Sequence, residues 1–212
     1  MGYKIISGRY ETGTQEQQLG YNQLFGAENI QEKFDLYFHW FNIVHEIGHI
    51  LIDLQKTDMD KVHEELFVNC FAVAYWRIAD KGNNLRKVEA LINNILKFMP
   101  SPIPQGTTFR DFFKNLWGTE AMNSVMMYGY FQISCVSEAF KSDRTLSDLL
   151  SEIGYEDIHT SLIKPYSEEV NSGNAVKVLN QCISNLNDIG IEVGDVGIEL
   201  VDNPEMQCCQ PV

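Results

Sequence analysis

Two stretches of the chain are apolar at nearly every helical position. The first, about residues 35–55, holds "FNIVHEIGHILIDL", and the second, about 60–80, holds "HEELFVNCFAVAYW". A helix that is apolar almost all round is buried on several sides, so the pattern predicts a central helix pair. "KTDMDK" interrupts it and offers Asp58 or Asp60 as the N-cap of the second helix. Amphipathic spacing predicts further helices over "LRKVEALINNILKF" and over "NAVKVLNQCISNLNDIG", where Ala175, Val176, Leu179, Cys182, Ile183 and Leu186 share one face. "TLSDLLSEIG" reads as a compact helix with Thr145 as N-cap, Asp148 at the capping-box position and Gly154 as C-cap. "FRDFFKNLWG" and "EAMNSVMMYGYF" read as shorter helical pieces broken by Gly118 and Gly129.

The ends of the chain are patterned differently. "YKIISGRY" suits a short strand, whereas "ETGTQEQQLGYNQLFGAEN" reads as a loop with polar turns. The tail "IEVGDVGIELVDNPEMQCCQPV" offers one or two short strands before a flexible end. The expectation is a mainly α protein, α+β through a small sheet. One domain spans residues 1–190, followed by a C-terminal tail over 191–212.

Composition narrows the function classes. The 212 residues are 44% hydrophobic and 11% aromatic, enough for a packed core. A net charge of −13 argues against a direct grip on nucleic acid, which needs clustered Lys and Arg. No apolar run is long enough to span a membrane, and no basic amphipathic stretch suits a membrane surface. The cysteines are an odd five and form no framework: Cys70, Cys135 and Cys182 stand singly, and Cys208 and Cys209 are adjacent near the end. With no secretory signal at the N-terminus, this pattern points to the reducing cytoplasm.

The candidate chemistry lies in the first apolar helix. His45 and His49 are four residues apart, so both imidazoles can address one point from the same helix face. Burying two such rings beside a carboxylate costs several kcal/mol unless they find partners. A zinc ion is such a partner, and a catalytic zinc keeps one position open for water. Glu46, about 100° around the helix, is placed to act as general base in this H-E-x-x-H arrangement. A third ligand is needed, and the second helix offers His63, Glu64 and Glu65. Helical phase favours Glu65, which shares a face with Asn69, Ala72 and Trp76; His63 is the alternative. Asn69 can support a ligand by hydrogen bonding, and small Ala72 lets the helices approach. Glu64 reads as a carboxylate favoured by the helix N-terminus. His39 reads as structural or supporting, and His159 as exposed. Tyr128 or Tyr130 could stabilise an oxyanion, although filling a core or groove is the commoner role of such tyrosines.

"HEIGHILIDL" followed by "EELFVNCFAVAYW" resembles the ImmA/IrrE group of bacterial and phage metallopeptidases, whose pattern is H-E-x-G-H and then E-x-x-A-N-x-F-A. Glu65, Asn69, Phe71 and Ala72 match it, Gly48 fits, and Val68 replaces the usual alanine. The match spans roughly residues 35–76 and thins beyond them. The resemblance implies a zincin-like metallopeptidase core built on the helix pair at about 35–80. It makes His45, His49 and Glu65 the zinc ligands and Glu46 the catalytic base. Such proteins are commonly regulatory proteases that cut a DNA-binding repressor, so the implied partner is a protein or peptide substrate such as a transcriptional repressor. The rival is a catalytically inactive zinc-containing protein-interaction module, and a third reading is zinc hydrolysis of a small molecule.

Overall fold

The centre of the molecule is the helix pair that the apolar pattern demands. In the computed structural model, which describes residues 2–202, these helices are α3 (Asn42–Gln55) and α4 (Lys61–Ala79). In chain order they follow β1 (Tyr3–Gly8), α1 (Gln15–Phe25), α2 (Ile30–Phe34) and a π-helical segment, Asp35–Phe41. After them come α5 (Asn84–Phe98), α6 (Phe109–Leu116), α7 (Val125–Lys141), α8 (Leu146–Glu152), α9 (Ala175–Asp188) and β2 (Val196–Val201). The fold is therefore mainly helical with one small sheet. Among the described residues no helix is long and apolar enough to cross a membrane.

Local chemistry explains the reversal between α3 and α4. Lys56 takes a left-handed conformation (φ 52°), and its N–H closes back on Ile52 and Asp53. Asp60 then accepts the His63 N–H at 3.0 Å and starts α4. The two helices meet most tightly at Gly48, where an added Cβ would lie 3.0 Å from both Val68 Cβ and Val68 Cγ1. The expected role of a small residue at the crossing thus falls chiefly to Gly48, opposite Val68, with buried Ala72 one turn along α4 from Val68. Further along, Trp76 stacks on Trp40 of the π segment at 3.8 Å between centroids. Asn69 and Trp76 of α4 therefore both face the first helix, as phase requires.

The main core gathers α3, α4, α5, α8, α9 and the π segment, and α7 covers the other side of α4. A smaller apolar cluster, built on Val62, Phe113, Met122, Phe131 and Cys135, lies under α6 and the first half of α7. Residues 191–201 pack with this body, since Ile191 and Val193 are fully buried and β2 pairs with β1. The pairing is parallel, from Tyr3 opposite Val196 to Gly8 opposite Val201. The end expected to be flexible, with Cys208–Cys209, falls outside the described residues.

Several local expectations are corrected. The stretch read as a polar loop contains helix α1. Thr14 and Gln17 close a capping box at its start, and Tyr21 and Phe25 anchor it on Phe34 and Phe38. Gly129 does not break a helix but sits inside α7, where one glycine costs only about 1 kcal/mol and packing on α4 outweighs it. Val176 is exposed, and Val178 takes the buried place on α9. Thr145 and Asp148 do form the expected box, with Gly154 at φ 96° just past the end of α8.

Candidate metal centre

Helices α3 and α4 bring His45, His49 and Glu65 together. One ligand atom from each lies within 4.8 Å of the others, a buried group that could hold a metal ion. The His45 and His49 Nε2 atoms are 3.3 Å apart. The Glu65 carboxylate approaches them at 3.6 Å (Oε2 to His45 Nε2) and 3.9 Å (Oε1 to His49 Nε2). A tetrahedral ion with metal–nitrogen bonds of about 2.0–2.1 Å would separate two nitrogens by about 3.3–3.4 Å. The spacing of the rings fits such an ion, and the carboxylate stands a few tenths of an ångström wide.

Each imidazole is turned by a partner on its far nitrogen. His45 Nδ1 is 3.2 Å from Asn69 Oδ1. Asn69 Nδ2 donates to the Glu65 carbonyl at 2.8 Å, which fixes the amide so that its oxygen accepts from His45. His49 Nδ1 is 2.8 Å from Glu64 Oε1. With both Nδ1 atoms donating, both Nε2 lone pairs face the same point. That is the tautomer a metal requires.

The electrostatics differ between the two rings. Burial, aided by the neighbouring His49, pushes His45 down to about 3, so its ring is neutral. Burial pushes the Glu65 carboxyl up, against the pull of His49 and with Gln132 beside it. Burial also works against a charged His49, yet the Glu64 hydrogen bond and the Glu65 and Glu46 charges outweigh it and raise the ring. Glu64 itself is held down to about 2, chiefly by the His49 hydrogen bond and then by Lys61. Glu65 Oε2 is buried with no hydrogen-bond partner among the described residues. A buried carboxylate oxygen in that position is costly unless a cation compensates it. Donor types, spacing and the orphaned oxygen all fit a divalent metal.

Glu46 lies at the edge of the group, half-buried, with Asn42 Nδ2 donating to its Oε1 at 3.0 Å. The other candidates stand elsewhere. His63 turns toward α8, its Nε2 3.3 Å from Glu152, and is not part of the group. His39 is buried between Asp35 and the Gly8 carbonyl, and His159 is exposed. Tyr128 and Tyr130 are half-buried in the smaller cluster, where Gln132 Nε2 donates to the Tyr128 hydroxyl at 2.9 Å.

Sequence reasoning missed three supporting residues. Asn42 was recoverable, because it precedes Glu46 by four positions on one helix face. Glu64 bridges two helices and Gln132 comes from α7, so neither carries a local signal. Comparison of the chain with protein-family models, curated proteins and solved structures finds no match.

Proposed function

We propose that this chain is a zinc-dependent endopeptidase of the cytoplasm that cuts a protein such as a DNA-binding repressor. The observation that carries the reading is the convergence of two imidazole Nε2 atoms and a buried carboxylate beside Glu46. Two histidines and one carboxylate suit zinc, and three protein ligands leave the fourth position that catalytic sites keep open. A structural site would close that position with a protein ligand, and among the described residues the group has three members.

Zinc bound by His45, His49 and Glu65 would supply a Lewis acid that polarises a peptide carbonyl and makes water acidic near neutral pH. Glu46 accepts the proton of the attacking water and returns it to the leaving amine. Asn42 holds the Glu46 carboxylate in orientation for both transfers. Asn69 and Glu64 keep the two rings in the ligating tautomer. The repressor as substrate rests on the resemblance to ImmA/IrrE metallopeptidases. A net charge of −13 suits a basic DNA-binding partner, which it would steer toward the chain.

The test is Glu46→Gln, with zinc content measured by elemental analysis and cleavage by mass spectrometry of fluorescently labelled unfolded proteins. The variant is expected to retain one zinc per chain and lose cleavage. Cleavage at the wild-type rate would refute the role of Glu46, and a wild-type chain that binds zinc but cuts nothing would favour the inactive module.

A further inference from the structure

We propose that Glu64, backed by Lys61, is the positioning residue that sets the metal affinity of the centre. The inference rests on the metal reading above and goes beyond it, because Glu64 is neither a ligand nor a group that meets substrate.

The two imidazoles are oriented by unlike partners. Asn69 gives His45 a neutral amide oxygen at 3.2 Å. Glu64 gives His49 a carboxylate oxygen at 2.8 Å, a shorter and charge-assisted contact. The second Glu64 oxygen is held by Lys61 Nζ at 2.8 Å, so both ends of the carboxylate are fixed. Glu64 is mostly buried, with a side chain 13% exposed against 43% for Lys61. Water therefore competes weakly for its bond to His49. Lys61, Glu64 and His49 form a line from solvent to the ligating nitrogen. A carboxylate on the far nitrogen fixes the tautomer and makes the imidazole a stronger donor.

His49 is also the more exposed of the two ligand side chains, at 22% against 2% for His45. His45 is enclosed by packing, which supplements its Asn69 contact. His49 needs its partner, so losing Glu64 should cost more than losing the Asn69 contact. Its neighbour Glu65 points inward from the next position on α4, so adjacent carboxylates divide the work. One binds the metal, and the other aims a ring that does.

The experiment measures zinc affinity of the purified full chain by chelator competition, for wild type, Glu64→Ala, Glu64→Gln and Asn69→Ala. Two-dimensional 15N NMR of the histidine rings in the metal-free protein is the second readout. Glu64→Ala is expected to weaken zinc binding about 10- to 100-fold and to shift His49 away from the Nδ1–H form, with His45 unchanged. Glu64→Gln, which keeps the shape, should fall between Glu64→Ala and wild type, and Asn69→Ala should cost less than Glu64→Ala. Zinc binding within twofold of wild type in both Glu64 variants overturns the positioning role and leaves the metal reading intact. A wild-type chain that takes up no zinc overturns both.

Discussion

From Ile30 to Gln55 the chain is helical without interruption, yet its two halves treat histidine in opposite ways. In the π segment, His39 has Nδ1 2.6 Å from Asp35 and Nε2 2.8 Å from the Gly8 carbonyl. Both ring nitrogens are committed, and Gln31 secures the Asp35 carboxylate from the previous turn. In α3, His45 and His49 commit Nδ1 alone and turn Nε2 toward each other and Glu65. Burial does not make the difference, because His39 and His45 are 1% and 2% exposed. What separates a clamp from a candidate metal ligand is the second nitrogen. His39 spends it on fastening β1 to the helix, and the other two keep it for a shared point.

The contrast breaks most visibly by truncating each ring. His45→Ala or His49→Ala should lose zinc to background in elemental analysis, and Glu65→Ala should lose more than His63→Ala. His39→Ala should keep one zinc per folded chain and instead lose about 1–3 kcal/mol in urea denaturation, because Asp35 and the Gly8 carbonyl each lose a buried hydrogen bond and Gln31 alone stays on the Asp35 carboxylate. A folded His39→Ala protein without zinc would end the distinction. A smaller effect tests the crossing that aligns the rings. Gly48→Ala should cost about 1–3 kcal/mol by overpacking against Val68, and Val68→Ala in the same chain should recover part of that loss. Wild-type stability in the single variant would show that the crossing has slack.

The smallest effect concerns the cap that starts α4. The His63 N–H holds the Asp60 carboxyl below its usual 3.8, with Lys114 and Arg110 adding to the shift. A carboxyl lowered in the folded state stabilises the fold above the unfolded value, and that contribution fades as pH falls below it. Asp60→Ala should therefore cost about 0.5–2 kcal/mol at pH 7, and the gap to wild type should narrow near pH 3. A gap that stays constant across that range would make the charge irrelevant to the cap.

How much of this was readable in the residues follows from how local each signal is. The motif helix, its antiparallel neighbour, Glu65 as the inward carboxylate and Asn69 as its companion all follow from periodicity and phase. Thr145 and Asp148 were equally plain. Helix α1 was missed because its sequence is polar and holds Gly20, although Thr14 and Gln17 carried the start signal. The π segment has no compositional mark, and the closing bond from Asn42 to the Tyr37 carbonyl is visible only in the backbone. Glu64 was read as a charge at a helix start, which it is, but its bond to His49 depends on how two helices cross. Parallel pairing of the terminal strands is equally remote from any local pattern.

That pairing has a consequence for how the molecule assembles. The contact of Lys4 with Glu199 joins residues 195 apart, whereas that of His45 with Asn69 joins residues 24 apart. Closing the longer loop costs about 2 kcal/mol more in chain entropy. Joining the two ends costs more than joining the centre, so the fold can bring His45, His49 and Glu65 into proximity without first resolving where its termini lie.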